Sequence, residues 1–182
     1  MRSSFALLGS LALSTICAAQ TTYYVDAVNG SDSNPGTTRA QAFKSLTYSA
    51  TFLVDDDTLI VLPGTYSPSL TGELFPIRFG DVTSQMRLKV RCEAGPEVTI
   101  LDGEQMATSS GVPLMRFYAM ASDTSLRGLQ FKNATAAPAS YWSMAIRLGS
   151  TSGGVYEAKN VEITGCIFKA GYRGIVIFGS NG

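Results

Sequence analysis

The sequence has no histidine. That absence removes an imidazole base from any catalytic scheme, and with it Ser-His-Asp and Cys-His chemistry and histidine metal ligation. Charge is also sparse: 15% of residues are charged, and 14 acidic side chains balance 14 basic ones. A balanced chain has no electrostatic footprint for nucleic acid, and no nucleic-acid-reading motif occurs. No nucleic-acid partner is expected. Cysteine is too scarce, at three residues, for a disulfide-stapled scaffold. Beyond residue 58 helical periodicity is absent as well.

What the chain does have is apolar mass. Hydrophobic residues make up 45% of 182, enough for one globular core and too many for a disordered tail. Residues 1–19 read as an export signal. Arg2 gives the positive start, Phe5 to Ile16 the apolar stretch, and Cys17-Ala18-Ala19 the small residues before cleavage. The expected mature N-terminus is Gln20, with no membrane span after the signal is removed. Lipidation at Cys17 is disfavoured by the branched Ile16 before it. The expected location is secreted, periplasmic or cell surface. Cys92 and Cys166 remain, each inside an apolar strand-like run, which favours reduced, buried thiols over a bridge.

After the signal, Thr22-Tyr23-Tyr24-Val25 reads as a strand. A dense turn follows, from Asp26 through Asn29-Gly30 to Pro35-Gly36. Phe43, Leu46, Ala50 and Leu53 then share one face of a short amphipathic helix. From Thr58 onward the chain consists of short β-rich runs ending in glycine or asparagine turns. Leu59, Leu88, Met115, Ile146 and Ile175 mark one series of runs, recurring about every 30 residues, a solenoid interval. Phe75–Phe79, Val98–Leu101, Leu126–Phe131 and Ile163–Phe168 form a second series between them. Leu126-Arg127-Gly128-Leu129-Gln130-Phe131-Lys132 also matches Ile163-Thr164-Gly165-Cys166-Ile167-Phe168-Lys169 position by position. Hairpin meanders do not explain such a match; stacked coils do. The extra spacing there fits a loop insertion around Gly149 to Gly154.

The segments Tyr23-Tyr24-Val25-Asp26, Asn29-Gly30-Ser31-Asp32-Ser33-Asn34-Pro35-Gly36-Thr37, Ala42-Phe43-Lys44-Ser45-Leu46 and Asp57-Thr58-Leu59-Ile60-Val61-Leu62-Pro63-Gly64-Thr65-Tyr66 resemble the start of many bacterial β-helix proteins. With Gly72-Glu73-Leu74-Phe75-Pro76-Ile77 and Thr99-Ile100-Leu101-Asp102-Gly103, the string is most similar to the domain of unknown function fifteen-sixty-five, at the N-terminus of pectate-lyase-like β-helices. The similarity runs from about Tyr23 to Gly103. It implies an all-β fold: a right-handed parallel β-helix, a solenoid with an N-terminal capping strand and short helix. Such an opening occurs in polysaccharide lyases and in surface proteins alike, so it implies fold rather than activity. The expected organisation is a signal at 1–19, a cap at 20–57 and coils at 58–182, truncated at the C-terminus and liable to fray or aggregate there.

No catalytic residue is assignable, and no metal site. Asp26, Asn29, Asp32 and Asn34 offer oxygen ligands that calcium would accept, but Asx turns are the favoured reading, since the EF-hand spacing and its terminal glutamate are missing. Asp102, at a strand end before Gly103, is a weaker calcium candidate. No cofactor follows, with calcium the one ion left open. Alternation places Lys89, Arg116 and Arg147 outward while their neighbours point in. They are expected to form one column on successive coils, able to hold an acidic polysaccharide. The competing reading has Glu93, Asp123 or Glu157 neutralise them. Trp142, beside Tyr141, is either a sugar-stacking residue or an aromatic lid, and the lid is favoured. The functional expectation is a secreted or cell-surface glycan-associated protein without assignable catalysis in this segment. The alternatives are a pectate-lyase-like polysaccharide lyase, or other carbohydrate-active enzyme, with catalytic coils further C-terminal, and a structural spacer.

Overall fold

The computed structural model describes residues 19–80, 86–105, 112–118, 123–134, 144–149, 160–169 and 173–177. Among these, the strands fall into three sheets, and every pairing between them is parallel. Sheet A takes β1 (Thr22–Val25), β2 (Thr58–Val61), β5 (Lys89–Cys92), β8 (Ser125–Arg127) and β11 (Glu162–Thr164), stacked in that order. Sheet B takes β3 (Gly64–Tyr66), β6 (Thr99–Asp102), β9 (Gln130–Lys132) and β12 (Ile167–Lys169). Sheet C takes β4 (Ile77–Phe79), β7 (Met115–Phe117), β10 (Met144–Leu148) and β13 (Arg173–Ile177). From β2 onward the chain visits A, B and C in turn, so each coil adds one strand to each sheet. The chain is a right-handed parallel β-helix, the hand that parallel crossovers of L-residues take.

Alternation along each strand builds the core. In β5 the side chains of Lys89 and Arg91 are exposed, while Val90 and Cys92 are buried. Stacking then places like on like between coils. Leu59, Val90, Leu126 and Ile163 form one inner column of sheet A. Phe79 and Phe117 stack with ring centroids 5.1 Å apart in sheet C, and Phe131 and Phe168 do the same in sheet B. Each fully buried Phe or Leu contributes about 1.5–3 kcal/mol of transfer free energy. The match between 126–132 and 163–169 is a literal stack: Leu126 pairs with Ile163, Phe131 with Phe168 and Lys132 with Lys169. The corner between β8 and β9 needs the left-handed conformation of Gly128 (φ 81°), and the next corner uses Gly165 (φ 57°).

The N-terminal segment covers the first coil. Strand β1 pairs with β2 and so occupies the outer edge of sheet A. The expected helix is shorter than its apolar spacing suggests. Helix α1 spans only Leu46–Ser49, and Phe43 lies before it in an extended bridge to Val25. Ser45 ends the extended segment by capping α1, accepting a hydrogen bond from Tyr48 N. Phe43 and Leu46 nevertheless both point into the core and are fully buried. The Asn-Gly turn is dictated by this packing. A Cβ at Gly30 would fall 2.1 Å from the Phe43 carbonyl oxygen and 2.4 Å from that of Asp26.

A second short helix, α2 (Pro68–Thr71), sits between β3 and β4. Glu73 follows it, buried, and ties both helices together. Its carboxylate accepts from Leu46 N (2.8 Å), Thr47 N (2.8 Å), Thr47 Oγ1 (2.6 Å) and Thr71 Oγ1 (3.0 Å). Of the two remaining cysteines, both are free; Cys92 is buried, whereas Cys166 is only half-buried in the last described coil.

Candidate functional site: an arginine ladder on sheet C

One outward residue from each of β4, β7 and β10 brings one residue type to one line. Arg78 is the Cα partner of Arg116, and Arg116 is the Cα partner of Arg147. Their flanking residues Ile77, Phe79, Met115, Phe117, Ile146 and Leu148 are all buried. Burial of those neighbours forces the three guanidinium groups to the outer face. Paired strands set them about 4.8 Å apart at the backbone, on the scale of one sugar residue. In the next coil Val176 takes the position and ends the basic series.

Like charges stacked directly opposite one another destabilise a sheet. Here an aromatic ring offsets part of that cost. The guanidinium carbon of Arg116 lies 3.8 Å from the Tyr118 ring centroid, and that of Arg78 lies 5.9 Å from the same ring. Burial pulls the Arg147 guanidinium below its usual pKa, and Arg116 pushes it the same way, with Tyr118 opposing. Arg116 Nε is buried and has no hydrogen-bond partner among the described residues. Neither Arg78 nor Arg116 makes an ion pair among the described residues.

This ladder corrects the column expected from sequence in one member and adds another. Lys89 does not stand with Arg116 and Arg147. It lies in β5 of sheet A, where its Cα partners are Thr58 and Ser125. The reason is that all three strands of a coil share the same in–out alternation, so Lys89 has the right phase but the wrong face. Arg78 was the missing member. The signal was present in Ile77-Arg78-Phe79, Met115-Arg116-Phe117 and Ile146-Arg147-Leu148, the same apolar-Arg-apolar triplet three times. Trp142, Tyr141 and Glu157 lie outside the described residues.

Two of the carboxylates expected to neutralise the column, Glu93 and Asp123, act on other arginines. Glu93 pairs with Arg39. Asp123 acts on Arg87, which also pairs with Asp55 at 2.7 Å and Asp56 at 2.6 Å. The oxygen-rich N-terminal turn is used up internally. Asp26 Oδ1 accepts from Val28 N (2.8 Å) and Asn29 N (3.1 Å). Asp32 Oδ1 accepts from Lys44 N and Ser45 N, and Asn34 donates to the Ala42 carbonyl. Asp102 accepts from Glu104 N and Asn133 Nδ2, both at 2.9 Å. These are Asx-type turn and corner bonds. Among the described residues no cluster of three or more acidic or thiol ligands is placed to hold a metal ion, nor is any helix long and apolar enough to cross a membrane.

With three stacked coils carrying an outward arginine, the chain can be compared with known proteins. Residues 28–180 match a family model described as a protein of unknown function, DUF1565. The chain belongs to this family. The DUF1565 match thus extends well past the Tyr23–Gly103 segment in which the resemblance is most legible. Among solved structures, a rhamnogalacturonan lyase is similar at 21% identity and a TM-score of 0.51, over 70% of this chain and 32% of that one. A GH136 lacto-N-biosidase from Eubacterium ramulus is similar at 14% identity and a TM-score of 0.51, over 82% of this chain and 34% of that one. The DUF1565 chain spans about a third of the length of these structures, and at such identities the likeness is one of fold. No curated protein matches it.

Proposed function

We propose that this protein is an exported, glycan-associated β-helix whose sheet C binds an acidic polysaccharide along the Arg78–Arg116–Arg147 ladder. The observation that carries the reading is the register itself: three guanidinium groups on successive coils, at one position of one sheet. A stack of like charges costs stability, and a polyanion laid along it reverses the sign of that interaction. Guanidinium forks match carboxylates two bonds at a time, so each rung suits one uronate. Two proteins of similar fold are named for action on glycans, which supports a saccharide as the partner. Export with cleavage after Ala19 would deliver the domain to where such polymers occur. Trp142, two residues before β10, is the candidate for stacking on a sugar ring.

Exposed ion pairs contribute roughly 0.2–1 kcal/mol each. Three of them give weak, salt-sensitive binding, on the order of millimolar. The test is affinity electrophoresis of the full chain in gels with and without polygalacturonate, at low and high salt. Wild type should be retarded by the polymer at low salt, Arg78→Ala/Arg116→Ala/Arg147→Ala should not, and Lys89→Ala should behave as wild type. Equal retardation of wild type and triple variant contradicts the proposal. The same fold similarity favours a second reading, a carbohydrate-active enzyme such as a polysaccharide lyase. Release of unsaturated oligosaccharides from the polymer by the chain would establish it.

A further inference from the structure

The outer face of sheet A carries a second set of basic residues, on which the ladder of sheet C does not draw. A groove of about 510 Å³ runs along it. One column of its floor is Thr22, Thr58, Lys89, Ser125 and Glu162; the other is Tyr24, Ile60, Arg91, Arg127 and Thr164. Arg91 and Arg127 are direct Cα partners on neighbouring coils, both exposed. Among the described residues Lys89, Arg91 and Arg127 form no ion pair. The pair formed by Arg39 and Glu93 flanks the groove, with the Arg39 guanidinium 5.9 Å from the Tyr24 ring centroid.

This face differs in chemistry from sheet C. Sheet C presents arginine at three consecutive rungs. Sheet A presents two stacked arginines and a lysine, bounded by the carboxylates of Glu93 and Glu162 and by the hydroxyls of Thr58, Ser125 and Thr164. Glu93 is matched by Arg39, but Glu162 forms no ion pair among the described residues, so a polymer with a charge on every residue would set one of its carboxylates against Glu162. A mostly uncharged oligosaccharide with one carboxylate would not. Its acid group can sit between the Arg91 and Arg127 forks, and its hydroxyls can bond to Thr58, Ser125, Thr164 and Glu162.

We propose that the outer face of sheet A is a second carbohydrate site, selective for an isolated sugar-acid residue on an otherwise neutral chain, with Arg91 and Arg127 as its carboxylate clamp. The inference rests on the glycan-associated reading but not on the sheet C ladder. A molecule with both faces would hold two different glycans at once.

The test is isothermal titration calorimetry of the full chain with a xylo-oligosaccharide bearing one glucuronate, and with the unsubstituted xylo-oligosaccharide. Wild type should bind the substituted sugar and bind the neutral one at least about tenfold more weakly, the scale set by one lost charge-assisted clamp. Arg91→Ala/Arg127→Ala should lose the substituted sugar while keeping its retardation by polygalacturonate. Arg91→Lys/Arg127→Lys, which keeps the charge and removes the fork, should fall between them. Arg78→Ala/Arg116→Ala/Arg147→Ala should keep the substituted sugar. Undiminished binding by Arg91→Ala/Arg127→Ala overturns the site, as does wild type that ignores glucuronate. Loss of polygalacturonate retardation in the sheet C variant, with no glucuronate binding by wild type, would sink this inference and leave the ladder standing. The opposite pattern would sink the ladder alone.

Discussion

Arg116 stacks on Tyr118, two residues further along the same outer face, with its guanidinium carbon 3.8 Å from the ring centroid. Arg78 approaches the same ring at 5.9 Å. One tyrosine ring therefore lies within cation–π reach of two guanidinium groups on neighbouring coils. Tyr118→Leu should lower stability by about 0.5–1 kcal/mol, the worth of an exposed cation–π contact. It should also weaken retardation by polygalacturonate, because the arginines lose their platform. Urea unfolding and affinity electrophoresis check the two halves.

Tyr66 is a core position with a polar demand. Its side chain is fully buried, and its hydroxyl lies 3.0 Å from the Val25 carbonyl and 2.9 Å from that of Leu62. Burial pushes the phenol far above its ordinary pKa, against the opposing effect of a backbone hydrogen bond from Ala27, so the hydroxyl stays protonated and able to donate. Tyr66→Phe should cost about 1–2 kcal/mol, since it removes a buried hydrogen bond and keeps the ring. Denaturant midpoints should shift while polysaccharide binding stays unchanged.

Acid should loosen the N-terminal turn. Burial raises the Asp26 carboxyl, but bonds from Val28 N, Asn29 N and Asn29 Nδ2 outweigh it and leave the pKa below the ordinary 3.8. A depressed folded-state pKa contributes stability that is present above the unfolded value and is lost as pH falls through the folded one. Thermal midpoints should therefore drop below about pH 4, and Asp26→Asn should flatten that part of the profile. A profile unchanged by the substitution would assign the acid sensitivity elsewhere.

The thiols should differ in reactivity. Burial pushes the Cys92 thiol up, which suppresses its thiolate, whereas Cys166 is half-buried. Under native conditions a thiol reagent should label Cys166 first and Cys92 only on unfolding. Intact mass should be the same with and without reductant once the reagent is omitted.

The coil repeat was legible in the sequence because inward positions must be apolar and stack on apolar neighbours. Leu126 over Ile163 and Phe131 over Phe168 are examples. The three sheets were less legible. Leu59 and Leu88 belong with sheet A, while Met115, Ile146 and Ile175 belong to sheet C, yet all fit one interval. Within a coil every strand alternates alike, so period alone does not say which face a residue occupies. That ambiguity makes Lys89 look like a neighbour of Arg116 and hides Arg78. The apolar spacing overstates the helix for a related reason. Phe43 reaches the core from an extended bridge, and Leu46 reaches it from a single helical turn, so apolar spacing of three mimicked a longer helix.

The most direct test of the central claim is arginine footprinting. The full chain would be treated with an arginine-selective dicarbonyl reagent, with and without saturating oligogalacturonate, and modification quantified peptide by peptide. The account predicts that the sugar slows modification of Arg78, Arg116 and Arg147 together and leaves the Asp55-paired Arg87 unchanged. Unaltered modification of all three ladder arginines at saturating sugar would contradict it.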